Sequence, residues 1–440
     1  MRKITLRVAL IALTLIVLYL ITMKFQRKTT LKDGITIYAN RSLGRFKDLR
    51  GVNDGPLSPS GWSNALTLNL SEYYAKLGIK AVRFHDLWIV DEIDTIFADP
   101  EADPSDPRSY NFTGLDRCVE EALKHADLLI IRLGYDWHDP PKNKPHLSLQ
   151  KLSEVAKHIV IHYTMGWANG YNYTCIWIEV WNEPDIEQFW GLSENEYFEL
   201  YGAVARAIAE VNPKVKVGGP AIAYNLTFLE EFLSYVSSRG LPLDFVSWHA
   251  YSTSPEEIVK RGRAVKQLME KFGYSGLPNV ITEWNYWWNQ EPWEFFRSNK
   301  VAAFQAATLI LLEDTPVDIA VLYRGDAWNW GGIFSGNGQP SNPYYTWLAY
   351  KEVIETSIRV EVVVLNSFLK AIAGLADDGT LRVLVVNYCE EEVKYDVEAT
   401  GYRLEKVYVI DRALVEANTC DGHSCLIGPY MVQLLMFAEG

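Results

Sequence analysis

Apolar positions along this chain alternate between two periods. Leu66, Leu70, Tyr73, Tyr74 and Leu77 fall on one face of a 3.6-residue repeat and predict a helix over 64–77, stopped by Gly78. A continuous apolar run over 79–84 follows and reads as a buried strand. The alternation continues with helices over 115–125, 149–166, 194–210, 226–239, 255–272 and 297–312. Between them, strands are expected over 128–133, 176–181, 215–218, 245–249, 280–283 and 319–323. A first strand near 46–52 brings the number of strands to eight. Right-handed crossovers of this number and length close into an α/β fold, a (β/α)8 TIM barrel. An open doubly wound sheet is the rival, but no Gly-rich dinucleotide turn follows the first strand.

Beyond Tyr350 the helical period disappears. Short strands over 360–365, 381–388, 393–397, 407–409 and 431–437 are separated by Gly, Asp and Asn turns, as in a small antiparallel β-sandwich. The expected units are a barrel over 33–352, including a short strand at 35–38, and a sandwich over 353–440.

Residues 1–32 follow a different pattern. Arg2, Lys3 and Arg7 precede an apolar run over 8–23, and Lys24, Arg27 and Lys28 follow it. No small-residue cleavage site is present, which favours an uncleaved signal anchor that tethers an extracellular domain to the membrane; secretion after cleavage is the alternative. Sequons at Asn40, Asn69, Asn111, Asn172 and Asn225 are compatible with export. Cys420 and Cys425 flank a short turn and are placed to bridge, whereas Cys118 and Cys175 sit in apolar surroundings and read as buried thiols. Positive charge is similar on both sides of the run, so it assigns no orientation, and the sequence assigns no oligomeric state.

Composition narrows the function. Hydrophobic residues make up 48% of 440, enough for a large core, and aromatic residues 13%, which supplies surfaces able to stack on sugar rings. A net charge of −13 argues against a nucleic-acid partner. The eight His and five Cys form no CxxC or HExxH pattern, so neither a metal nor another cofactor is expected.

Candidate chemistry collects at the strand ends. The apolar strand over 176–181 stops at Asn182-Glu183-Pro184, where Pro184 ends the ladder and should hold Glu183 extended. The strand over 280–283 likewise ends in Glu283-Trp284-Asn285. Strand two ends in Arg83-Phe84-His85-Asp86, strand three leads to Trp137, strand six to His249 and Tyr251, and strand eight to Tyr323, Arg324, Asp326 and Trp330. Taken singly, each has an ordinary structural explanation: a core histidine, a buried Arg–Asp pair, a packing tryptophan. Their coincidence at one pole of a barrel is what points to chemistry. Two carboxylates among aromatics suit glycosidic bond cleavage, which needs a proton on the leaving oxygen and negative charge behind the anomeric carbon. Glu183 would be the general acid/base and Glu283 the nucleophile. Arg83 would hold Glu283 ionised, Tyr251 would orient it, and Asn182 would bond the sugar 2-hydroxyl.

These motifs resemble glycoside hydrolase family 39, of β-xylosidases and α-L-iduronidases. The resemblance is carried by Arg83-Phe84-His85, Val180-Trp181-Asn182-Glu183-Pro184, Gly218-Gly219-Pro220-Ala221, Trp248-His249-Ala250-Tyr251 and Thr282-Glu283-Trp284-Asn285, and covers roughly residues 45–350. It implies a retaining glycosidase with the same two glutamates, with His85, Asn182, His249 and Tyr251 near the reacting sugar. Arg324 departs from the xylosidase pattern and suggests a carboxylate-bearing or densely hydroxylated sugar. The leading expectation is an exo-acting β-xylosidase-like enzyme with a carbohydrate substrate. The alternatives are a uronate-recognising glycosidase, a transglycosidase and a carbohydrate-binding surface protein without catalysis.

Overall fold

The structure, a computed structural model, describes residues 34–87, 90–287 and 289–440. The expected anchor, within residues 1–33, lies outside them, and among the described residues no helix is long and apolar enough to cross a membrane.

Eight parallel strands close into a barrel: Gly51–Asn53, Ala81–Phe84, Leu128–Leu133, Ile176–Val180, Lys216–Ile222, Phe245–Ser252, Asn279–Tyr286 and Ile319–Leu322. Each is followed by a helix, from Ser71–Leu77 after the first to Asn342–Ile354 after the eighth. The helices over Leu149–Met165, Glu194–Val211, Leu226–Arg239 and Pro255–Lys271 lie where the apolar period places them. Their ends follow local chemistry: Ser193 and Glu196 form a reciprocal capping box, and Gly240 turns left-handed at φ +56° to end Leu226–Arg239.

Three expectations change. The helix over 64–77 begins only at Ser71, because Leu66–Asn69 pairs with Leu57–Pro59 as a hairpin. Leu66 and Leu68 alternate with Thr67 and Asn69, so the segment satisfies period two as well as 3.6, and only the partner strand decides. Helix Asn342–Ile354, with Pro343 in its first turn, is not among the expected elements; Thr346, Ala349 and Val353 are buried as well as Tyr344, Trp347 and Tyr350, so no single apolar stripe marks it. The short strand at 35–38 extends over Gly34–Gly44 and leaves the barrel for the accessory sheet, where it pairs antiparallel with Ile358–Val364 and parallel with Val393–Ala399.

The accessory sheet is one ten-stranded hydrogen-bonded array curled over its own core, which includes Ile35, Ile37, Val383, Val397 and Leu435. Its other face joins the barrel core through Ile372, Leu384, Val386 and Leu434. Cys420 and Cys425 are disulfide-bonded, Cys118 is buried, and Cys175 is half-buried rather than fully so.

Candidate active site

At the C-terminal ends of the strands, five non-glycine residues take left-handed backbone conformations: Asp54 (φ +62°), Asp86 (+65°), Trp181 (+71°), Glu183 (+42°) and Ala221 (+54°). Such conformations cost about 1–3 kcal/mol each and persist only where the surroundings enforce them. The rule for residues preceding proline therefore fails at Glu183. The Trp181 N–H donates to Leu133 O at 2.8 Å and the Glu183 N–H to Ala221 O at 3.0 Å, so contacts to strands three and five bend the chain. The Trp181 ring is locked behind it, donating Nε1–H to Phe189 O at 2.8 Å and packing edge-on against Tyr135 and Trp190.

Glu183, His249 and Glu283 converge, with one carboxylate oxygen of each glutamate and a histidine nitrogen within 4.8 Å of one another. The two glutamates sit in different surroundings. Glu283 Oε1 accepts from Arg83 Nη1 at 2.7 Å and Oε2 accepts from the Tyr251 hydroxyl at 2.6 Å. Among the described residues no Lys or Arg contacts Glu183; its Oε1 shares a 2.7 Å hydrogen bond with His249 Nδ1. Burial raises the pKa of both, but Glu283 is pulled back by Arg83 and Tyr251. Glu183 is pushed well above the ordinary range, by burial first and by the Glu283 charge second. Burial, reinforced by Arg83, keeps His249 neutral.

Arg83 is fully buried and holds the site from below. Its guanidinium donates to Glu179 Oε2 at 2.6 Å, Asn53 Oδ1 at 3.0 Å and Asn182 Oδ1 at 2.7 Å as well as to Glu283. The bond to Asn182 occupies the amide oxygen and leaves the Nδ2 hydrogens for a ligand. Arg132 does the same for His85: its Nε donates to His85 Nδ1 at 3.1 Å. Burial and Arg132 depress the His85 pKa, so the neutral ring carries its proton on Nε2, 3.6 Å from Glu283 Oε1.

A cavity of about 500 Å3 opens over these groups. Of the expected residues, His85, Asp86, Trp137, Asn182, Glu183, Tyr251, Glu283, Tyr323 and Trp330 line it. Asp86 accepts from the Tyr323 hydroxyl at 2.5 Å and from the Trp137 N–H at 2.8 Å. His249 and Arg83 act from beneath the lining.

Three expected contacts are corrected. Arg324 and Asp326 are wholly buried and bind each other through two bonds of 2.8 and 2.6 Å, with Asp54 3.2 Å from the same guanidinium. Arg324 also donates to Tyr323 Oη at 3.0 Å, so it braces Tyr323 and is saturated by protein groups. The uronate reading rested on this arginine and loses its support. Trp284 is buried behind the barrel wall, near Phe304.

Several residues of the site had not been singled out. Glu179 had a sequence signal, a carboxylate inside an apolar run, which requires a buried cation. Arg132, within strand three, carried the same signal with opposite charge. Asn53 and Asp54 end the short first strand. Trp62, Trp293 and Trp328 reach the cavity from loops and had no local signature; Trp62 packs edge-on against the other two. His85, Asp86 and Asp136 also bring ligand atoms within 4.8 Å of one another. There Arg132 supplies the positive charge, donating to Asp136 at 2.6 Å as well as to His85.

Comparisons with known proteins bear on the family and the fold. A curated β-xylosidase of Geobacillus stearothermophilus is 30% identical over 247 residues, 48% of this chain and 47% of that protein. One of Caldicellulosiruptor saccharolyticus is 29% identical over 304 residues, 61% and 58% of the respective chains. The chain thus spans about half the length of the curated relatives it matches. Among solved structures, a glucosidase from Croceicoccus marinus superposes with TM-score 0.77 at 24% identity, covering 93% of this chain and all of that one. A β-xylosidase from Caulobacter crescentus superposes with TM-score 0.70 at 18% identity, over 92% and 99%. These two likenesses concern the fold. The family profile decides the membership: it matches residues 34–375, and the chain belongs to the glycosyl hydrolases family 39.

Proposed function

We propose that this protein is a retaining, exo-acting β-glycosidase of β-xylosidase type. One observation carries the reading: two buried glutamates with carboxylate oxygens within 4.8 Å of each other, one paired to an arginine and a tyrosine and one bonded to a neutral histidine. A short separation suits double displacement, in which no water needs room between carboxylate and sugar during the first step. Glu183, held protonated by burial and the neighbouring charge, donates its proton to the glycosidic oxygen as the bond to the anomeric carbon breaks. Glu283 Oε attacks that carbon and forms a glycosyl ester, while Arg83 and Tyr251 disperse its charge. Glu183, now ionised, takes a proton from water as the water oxygen attacks the anomeric carbon, the ester bond to Glu283 breaks, and the sugar leaves with its configuration retained. Asn182 and the Nε2–H of His85 are placed to donate to hydroxyls of the reacting sugar.

Xylose as the sugar is supported by the two curated relatives, both β-xylosidases. Exo action is supported by the tryptophans that crowd the cavity from the loops after strands one, seven and eight. The apolar run over 8–23 between basic flanks supports a membrane-anchored, extracellular location, which protease shaving of intact cells tests.

The catalytic test is a panel of nitrophenyl β-glycosides, with the product anomer read by NMR at early times. The β-xyloside is expected to be cleaved with retention, and Glu183→Gln and Glu283→Gln to lose about 1000-fold or more in kcat. Azide should partly rescue Glu283→Gly by attacking the vacated side of the sugar. Full activity in Glu283→Gln, or an inverted product, would sink the mechanism.

A further inference from the structure

A second cavity, of about 740 Å3, adjoins the first, and the two share Glu183, Tyr251 and Trp330. Glu283 lines only the first. The proton donor thus stands on the boundary and the nucleophile on one side of it. A glycoside whose scissile oxygen meets Glu183 places its sugar over Glu283 and its leaving group in the second cavity.

The walls of that cavity have a definite chemistry. Strand six and its helix Pro255–Lys271 form the floor, and Ile186, Leu226, Ile258 and Ala264 present aliphatic surface to it. Besides the shared residues the polar side chains are few: Arg261, whose Nε has no hydrogen-bond partner among the described residues, Ser252, and Glu257 and Lys260 at the exposed rim. Arg261 donates Nη1 to Tyr224 O at 3.2 Å and Nη2 to Ala223 O at 3.1 Å, fixing the loop after strand five. Ser252 Oγ accepts from the Ser254 N–H at 3.0 Å, and Lys260 and Glu257, 3.6 Å apart, stand exposed at the rim.

Two large aromatics stand exposed beside this trough: Tyr224 at 66% and Trp287 at 54%. They follow strands five and seven, so they flank strand six and its helix from both sides. A sugar on this aliphatic floor would bury hydroxyls against carbon, and each hydroxyl left unpaired on burial costs free energy. An apolar body gains with every square ångström it covers.

We infer that this cavity binds an apolar leaving group, an alkyl, alicyclic or aryl body, in preference to a second sugar. The inference rests on the glycosidase reading and specifies its substrate class.

The test uses alkyl β-glycosides of one sugar, the one the purified protein cleaves best. Methyl and cyclohexylmethyl leaving groups are alcohols of similar acidity, so they vary apolar area with little change in bond chemistry; a disaccharide of the same sugar is the third arm. The cyclohexylmethyl glycoside is expected to exceed the methyl glycoside in kcat/KM by about 10- to 100-fold and to exceed the disaccharide. In the double variant Tyr224→Ala/Trp287→Ala that ratio should fall by about fivefold or more, with the melting temperature confirming the fold. A wild-type ratio below about twofold overturns the inference, as does preference for the disaccharide or a ratio that survives the double substitution. In each of those outcomes hydrolysis persists and the glycosidase reading stands. Hydrolysis of no glycoside at all overturns that reading and the inference with it.

Discussion

Glu183 and Glu283 are chemically identical side chains, and their neighbours alone separate how they titrate. A glutamate whose pKa is raised on folding costs nothing below the unfolded-state value, where both states hold the proton. The cost accrues as pH rises through the interval in which the unfolded state is ionised and the folded state is held back. Glu183 is such a group. Glu183→Gln should therefore raise the melting temperature at neutral pH, by about 2 °C for each unit of displacement, with the gain vanishing near pH 4. Calorimetry of the two proteins across pH 4–7 checks this, and a gain that persists at pH 4 would point to a different cause. At Glu283 the Tyr251 hydroxyl opposes the effect of burial. Tyr251→Phe removes that donor, so the acid limb of the kcat/KM profile should move to higher pH, with kcat reduced about 10- to 100-fold. Phenylalanine keeps the ring against Trp330, 5.6 Å away, so packing is preserved.

At the scale of elements, strands two and four each carry one member of a buried pair, Arg83 and Glu179, and the same guanidinium holds Glu283. Breaking one partner of such a pair costs about 3–5 kcal/mol because the other is left charged and buried. This explains why a charged residue is tolerated inside an apolar strand. The strand Gly34–Gly44 bears a different load. It lies between Ile358–Val364 and Val393–Ala399, with Ile37 fully buried beneath it. Ile37→Ala should lower stability by about 2–5 kcal/mol, read as an earlier midpoint in equilibrium urea denaturation. An unchanged midpoint would mean that this strand contributes little to the sheet.

Over the whole molecule, barrel and accessory sheet share a core. Helix Asn299–Leu312 is buried almost all round, the barrel on one side and sheet strands on the other. Polar contacts line the seam: Tyr388 Oη donates to Thr253 O at 2.7 Å, and Lys370 pairs with Glu256 at 3.2 Å. Thr253 and Glu256 bracket the start of the helix that floors the second cavity, so the sheet braces that cavity from outside. Thermal unfolding of the full chain is expected as one transition. A chain ended at residue 355 should expose Leu309 and its neighbours and aggregate, as light scattering would detect. Two separated transitions, or a soluble active barrel, would contradict a shared core.

The alternation of periods and the residues at the strand tips determined the barrel and brought both glutamates forward, because buried strands must be apolar until they reach solvent. The same logic could have reached Glu179 and Arg132, since an isolated charge in an apolar run requires a partner. It failed at Leu66–Asn69, where both periods fit, and at Gly34–Gly44, whose strand partners lie more than 300 residues away. Only the tertiary structure decided the roles of Arg324 and Asp326: a charged pair two residues apart reads the same whether it faces a sugar or seals itself inside. The second cavity, too, is built from loops and helices after strands four to eight, and no stretch of sequence contains it. Sequence patterning reports what each segment must bury or expose; which groups then meet depends on closure of the chain over long separations.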